Sequence, residues 1–93
     1  MIQLIATPER FDGQRIQVTG YFGGVQWEES ALYLHEEDYR RRITRNGLWM
    51  ELSDALSKTP AGYVIVDAVL DSSRHGHLSG YQGTLTDVTR LDR

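Results

Sequence analysis

The chain has no cysteine, only two prolines and no apolar run long enough to cross a membrane. Without cysteine it forms neither a disulfide nor a zinc site with thiolate ligands, and it has no cysteine nucleophile. The first eleven residues lack the basic start and the apolar stretch of a secretory signal. We therefore expect a soluble cytoplasmic protein that makes no contact with a membrane and is stabilised by packing.

The charge balance also excludes some functions. Thirteen acidic and ten basic side chains leave a net charge of -3. Polyanion binding depends on clustered cations, so this balance counts against a general nucleic-acid binder. The sequence contains no recognisable Ser/His/Asp triad, phosphate loop, dinucleotide fingerprint or zinc-protease helix. We therefore expect a binding protein that is not an enzyme and needs no cofactor.

Short apolar runs separated by glycines fill most of the chain, and 93 residues suit one domain that spans 1–93. Runs of this length and spacing predict short β-strands, and closing them into a barrel removes the unpaired edges of a small sheet. The sequence thus predicts a mainly β fold, a small five-stranded OB-like barrel that is closed or partly open, with one or two short helices. The five runs are 16–22, 32–34, 48–52, 63–70 and 84–91.

A short helix is predicted over 35–42, because acidic residues come first there and arginines last. That order complements the partial charges at the two ends of a helix. Acid and arginine also recur four residues apart, which predicts ion pairs along one solvated helix face. The predicted pairs are Glu36 with Arg40, Glu37 with Arg41 and Asp38 with Arg42.

The remaining segments predict a second half of the barrel joined by loops. We expect a helical turn near Pro8, a polar loop over 53–60 and a longer loop over 71–83. The valine- and isoleucine-rich run 62–70 predicts a strand that is buried on much of both faces. The last run does not keep a strict period of two, which predicts a bulge near Asp87.

The pattern of turn and core positions resembles a group of small, largely uncharacterised bacterial OB-like barrel proteins. The segment 8–21 has the form P-x-x-φ-x-G-x-x-φ-x-φ-x-G, where φ is apolar, and 31–34, 46–49 and 83–88 extend the likeness over most of the chain. The resemblance implies an OB-like barrel. Some proteins of this kind are immunity proteins that neutralise toxins, so it also implies a toxin domain as a candidate partner.

The leading functional hypothesis is a module that binds a protein partner. Acidic side chains would cover a basic surface on the partner, and aromatic side chains would anchor it. The residues expected to contact the partner are Trp27, Glu28, Glu29, Tyr33, Glu36, Glu37, Asp38 and Trp49.

The alternative is a domain that binds single-stranded nucleic acid. Tyrosine and tryptophan rings would stack on bases, and arginines would follow the phosphates. The residues of this alternative are Arg15, Tyr21, Arg40, Arg41, Arg42 and Arg45, with Tyr33 and Trp49 as further stacking rings.

A small metal-dependent enzyme is the third hypothesis. His75 and His77 lie two residues apart and would reach one ion in an extended segment, with Asp71 or His35 as a third ligand. Structural metal sites need four placed ligands, so two solvated loop histidines are the simpler interpretation. No metal site is therefore predicted.

Overall fold

The structure is a computed structural model that describes residues 2–25, 29–75 and 80–92. Five strands form a closed barrel in the order β1-β2-β3-β5-β4, with β4 also pairing with β1. Strands β3 and β5 are parallel, and the other neighbouring pairs are antiparallel. This arrangement confirms the predicted mainly β, five-stranded barrel. The strands are β1 (Arg15–Phe22), β2 (Ala31–Tyr33), β3 (Gly47–Met50), β4 (Gly62–Asp71) and β5 (Thr84–Asp92).

The helices are short and connect or cap the strands. The predicted helix over 35–42 is present but shorter, and an unpredicted helix starts the described chain. The prediction of a polar loop over 53–60 was wrong in part, because this segment contains a third short helix. Ser53 caps that helix by accepting a hydrogen bond from the Leu56 N–H at 3.3 Å. Across the described residues, no helix has the length and apolar character to cross a membrane. The elements are α1 (Ile2–Ala6), a 3₁₀ helix (Pro8–Phe11), α2 (Glu36–Arg40), a 3₁₀ helix (Thr44–Asn46) and α3 (Asp54–Ser57).

The core lies inside the barrel and is built from alternate residues of each strand. On β4, buried residues such as Val66 and Leu70 alternate with partly exposed ones, and Tyr63 is 50 % exposed. The prediction that β4 is buried on much of both faces holds for the inner face, whereas the outer face is partly exposed. The fully buried inner side chains include Phe22, Leu32, Leu48, Met50, Val66, Leu70 and Leu85.

The predicted bulge near Asp87 is confirmed. Asp67 lies opposite Arg90, but Val69 lies opposite Thr86, so the single β4 residue between them faces three residues of β5. Asp87 has a positive φ of 48°, which few residues other than glycine adopt. The bulge bends β5 and lets the long β4–β5 ladder follow the curvature of the barrel.

Strand β1 is paired unequally on its two sides. All eight of its residues are register partners of β4, but only Tyr21 and Phe22 are partners of β2. The reason is that β2 has three residues, after which the chain turns outward into α2. Within the described part of the chain, 15–20 therefore have a neighbouring strand on one side only.

Candidate binding surface

The outer surface of β2 and β3 is covered by the chain itself, and we name it the closed face. Ala31 and Tyr33 alternate with the core residue Leu32, so they lie on the outside of the barrel. Both are nevertheless buried, because Tyr39 of α2 and Tyr81 of the β4–β5 connection pack over them. The closed face consists of Ala31, Tyr33 and Trp49, with Tyr39 and Tyr81 as its cover.

Two buried hydroxyl groups link the cover to the strand below it. The hydroxyl oxygens of Tyr33 and Tyr81 are 3.2 Å apart, and the Tyr33 hydroxyl also donates to Glu29 Oε1 at 3.5 Å. Burial raises the pKa of both tyrosines above the usual value. Both phenols are therefore neutral near pH 7, and their role is to hold the cover in place.

The β4–β5 connection is tied down by polar contacts at its two ends. The Arg74 guanidinium donates two hydrogen bonds to the Glu51 carboxylate, at 2.9 and 2.5 Å, and holds the pKa of Glu51 below its usual value. Thr84 Oγ1 donates to the Arg74 carbonyl oxygen at 2.8 Å. His75 Nδ1 lies 2.8 Å from the Tyr81 carbonyl oxygen. These contacts fix the segment that carries Tyr81.

The same contacts bear on the hypothesis of a metal site. The Asp71 carboxylate accepts hydrogen bonds from the N–H and Oγ of Ser73, at 3.0 and 2.6 Å, and His75 is engaged with Tyr81. Among the residues that the structure describes, no group of three or more His, Asp or Glu side chains is placed to hold a metal ion. His77 lies outside the described residues.

A second set of aromatic rings is partly exposed, and we name Tyr21, Tyr39 and Tyr63 the tyrosine patch. Tyr21 and Tyr63 are register partners on β1 and β4, and their ring centroids are 5.2 Å apart in an edge-to-face arrangement. Tyr39 reaches Tyr21 from α2, with centroids 5.4 Å apart. The Tyr63 hydroxyl accepts a hydrogen bond from the Glu36 N–H at 3.1 Å, which fixes the start of α2 against β4. Burial, followed by the charge of Glu36, raises the pKa of Tyr21.

Three arginines, Arg40, Arg41 and Arg42, lie on or just after the helix that carries Tyr39, and each is held by a carboxylate. On α2, Arg40 donates to Glu36 at 3.0 and 2.6 Å, and Arg41 donates to Glu37 at 2.6 Å. These are two of the three predicted helix pairs, and they are confirmed. Because the exposed acids on α2 are paired with arginines, the acidic surface predicted for partner binding has no net negative charge there.

The third predicted pair, Asp38 with Arg42, does not form. Asp38 is only 8 % exposed, so it does not belong to a partner-binding surface, and its Oδ1 accepts a hydrogen bond from Asn46 Nδ2 at 3.2 Å. Its Oδ2 has no hydrogen-bond partner among the described residues. Asp38 therefore joins α2 to the 3₁₀ helix that follows.

Arg42 instead pairs with Glu29, and its backbone is strained. Its Nη1 lies 2.5 Å from Glu29 Oε1, and its guanidinium carbon lies 4.8 Å from the centroid of the Tyr39 ring. The residue follows the end of α2 with a φ of 55°. The Arg42 N–H bonds to the Tyr39 carbonyl, and the Ile43 N–H to the Asp38 carbonyl. This is a Schellman motif, in which the position of Arg42 is usually glycine.

The other predicted contact residues are distributed over several regions. Tyr33 is fully buried, so the predictions that it anchors a partner or stacks on a base were wrong. Trp49 is partly buried, with its ring centroid 5.5 Å from that of Tyr81.

The remaining predicted arginines do not lie on α2. Arg15 forms an ion pair with Asp87. At the usual strand rise, Arg15 is about 20 Å from Tyr21 along β1. Arg45 is exposed on the second 3₁₀ helix. Trp27 and Glu28 lie outside the described residues.

Three tyrosines of this region, Tyr39, Tyr63 and Tyr81, were missing from the predicted site. Tyr63 lies at the start of an apolar run, a position that suggests burial. The structure places it on the outer face of β4, where it is exposed. Tyr81 lies between glycines in a segment whose composition predicts a loop, and no local pattern shows that the ring packs against β2 and β3.

Comparison of the chain with protein-family models, with curated proteins and with solved structures found no match.

Proposed function

We propose that this protein is a non-enzymatic binding module that recognises a protein partner through the tyrosine patch and the arginines beside it. The observation that carries this proposal is the set of three tyrosines in ring contact, with Tyr63 half-exposed and the Arg42 guanidinium over the Tyr39 ring. Tyrosine and arginine side chains supply a large share of the energy at protein interfaces. Here Tyr21 and Tyr63 lie on strands of the barrel, and Tyr39 and the arginines lie on α2 or just after it.

The ion pairs around the patch order the side chains before a partner arrives. Exposed ion pairs contribute little to folding stability, typically about 0 to 1 kcal/mol. Their effect here is to restrict Arg40, Arg41 and Arg42 to defined positions. A side chain that is already ordered loses less conformational entropy on binding, which favours affinity.

The barrel type bears on the choice between protein and nucleic acid. In OB folds the surface of strands 2 and 3 binds oligonucleotides, and the strand order supports assigning this chain to that type. Here Tyr39 and Tyr81 cover that surface, so Tyr33 offers no ring for a base. The arginines of α2 are paired with carboxylates. These features favour a protein partner. A toxin domain as that partner rests on the sequence resemblance alone.

Affinity capture from a native lysate tests the proposal. Immobilised wild type is compared with Tyr63→Ala, which removes the exposed ring, and with Ile2→Ala, a control that removes an exposed apolar side chain on α1. Each capture is repeated with and without nuclease. We expect one protein that survives nuclease, binds wild type and control equally, and binds Tyr63→Ala at least about tenfold more weakly.

Two outcomes would contradict this expectation. Equal recovery by Tyr63→Ala and wild type would move the interface away from the tyrosine patch. Recovery that disappears with nuclease, and a salt-sensitive shift with a short oligonucleotide, would place single-stranded nucleic acid first.

A further inference from the structure

The part of β1 that lacks a second neighbour presents backbone groups of defined direction. The Leu70 N–H donates to the Gln14 carbonyl at 3.1 Å, so Gln14 faces β4. Because direction alternates along an antiparallel strand, the backbone groups of Arg15, Gln17 and Thr19 point away from β4. Tyr21 also points away, and it is a register partner of Tyr33 on β2.

For Arg15, Gln17 and Thr19, no described residue supplies the missing strand. We name the outward side of these three residues the β1 edge. All three side chains are exposed, while Ile16 and Val18 between them face inward and are partly or fully buried. Folded proteins usually protect such an edge with charged side chains, proline, a bulge or a covering segment. In the described structure the β1 edge has one of these protections, the charged side chain of Arg15, and that charge is paired with Asp87 of the same chain.

We infer that a second copy of this chain covers the β1 edge, by antiparallel pairing of β1 with β1 across a two-fold axis at Gln17. In this register Gln17 faces its own copy, and Arg15 faces Thr19 of the other chain, so no like charges are opposed. The pairing supplies about six backbone hydrogen bonds and joins two β1-β4-β5 sheets into one. A two-fold interface uses the same surface on both chains, as this edge does.

Charge and packing at the edge suit a second copy. Arg15 is already paired with Asp87 of its own chain, so bringing two edges together adds no unpaired cation. On the inner side, the partly buried Ile16 of one chain lies beside Val18 of the other, which removes further apolar surface from water. The two-fold register centres on Gln17 and does not extend to Tyr21, so the tyrosine patch stays available for a different protein.

The test is the molar mass in solution, measured by light scattering or sedimentation over a dilution series. We expect wild type to approach twice the chain mass of 10.6 kDa at high concentration. Gln17→Pro removes an N–H that points away from β4, so it should keep the barrel and shift the mass to that of one chain. Gln17→Ala keeps the N–H and should remain a dimer. Far-UV circular dichroism checks that each variant is folded.

Amide hydrogen exchange of the wild type provides a second measurement that needs no variant. In the dimer, the N–H groups of Arg15, Gln17 and Thr19 become protected as concentration rises, while those of Ile16 and Val18 are protected throughout by β4. A single-chain mass at every concentration, with fast exchange at the three edge amides, would overturn the inference and leave the edge open to an extended segment of another protein. Capture of a partner by the tyrosine patch should be the same for Gln17→Pro and wild type.

Discussion

The outer surface of this barrel has two regions that differ in burial: the chain covers one of them and leaves the other in contact with solvent. On β2, Tyr39 and Tyr81 lie over Ala31 and Tyr33, so these two outward side chains are as buried as the core. On β1 and β4 the outward side chains alternate with buried ones and remain partly or fully exposed, as Tyr63 illustrates. We refer to this second region as the open face.

This difference separates stability from recognition on one small barrel. A buried ring on the closed face adds to the free energy of unfolding, because removing it leaves a cavity. A ring on the open face contributes less to stability and is available to another molecule. The tyrosine patch lies where the two regions meet, since Tyr39 contacts both Tyr33 on the closed face and Tyr21 on β1.

The largest expected effect compares one tyrosine from each face. Tyr33→Ala should lower the free energy of unfolding by about 3–5 kcal/mol, because it leaves a cavity and removes the partner of Tyr81. Tyr63→Ala should cost about 1 kcal/mol, since that ring is half-exposed. Urea unfolding of both variants measures the two values. Similar losses in both would mean that the faces do not differ as described.

A smaller effect is expected at the boundary between the faces. A Cβ at Gly23 would overlap the Tyr39 ring, so Gly23→Ala should lower the free energy of unfolding by about 1–3 kcal/mol. Gly13→Ala measures the cost of backbone strain alone, because Gly13 has a φ of 75° and no atom within 4 Å of the added carbon, whereas Gly23 has no positive φ. If Gly23→Ala left the free energy of unfolding unchanged, the contact between Gly23 and Tyr39 would not be a constraint.

Substitutions at Arg42 test whether its positive φ lowers the free energy of unfolding. Arg42→Gly removes the guanidinium contacts but relieves the positive φ, whereas Arg42→Ala removes the contacts and keeps the strain. We expect the glycine variant to be more stable than the alanine variant by about 1 kcal/mol in urea unfolding. Equal free energies of unfolding for the two variants would show that the positive φ does not destabilise the alanine variant.

The smallest effect concerns the attachment of the cover. The hydrogen bonds from Arg74 lower the folded-state pKa of Glu51, so their stabilising contribution is present above its ordinary value of 4.5. It is lost as the pH falls below that value and through the lowered pKa. Glu51→Gln should therefore be less stable than wild type at pH 7, with the difference shrinking toward pH 3 in urea titrations. A constant difference would assign the effect to something other than this ion pair.

The sequence predicts the barrel well because its signals are local. Glycine punctuation, the alternation in β1 and the irregular period near Asp87 each report on a few neighbouring residues, and the structure confirms what they indicate. The prediction of the binding surface was less accurate, because two of its residues, Tyr33 and Asp38, are buried. Tyr33 is covered by Tyr81, which is far away in sequence, and Asp38 accepts a hydrogen bond from Asn46 instead of pairing with Arg42. Residue type and local pattern cannot report on such contacts.

The parallel seam between β3 and β5 has a consequence for how the chain reaches its fold. Its register partners are Trp49 with Thr84 and Met50 with Leu85, a short ladder that joins segments far apart in sequence. Closing so long a loop for so few bonds is entropically unfavourable until the flanking strands are in place. We expect the seam to form after the rate-limiting step of folding. Substitutions at Leu85 that weaken the seam would then accelerate unfolding and leave the folding rate almost unchanged.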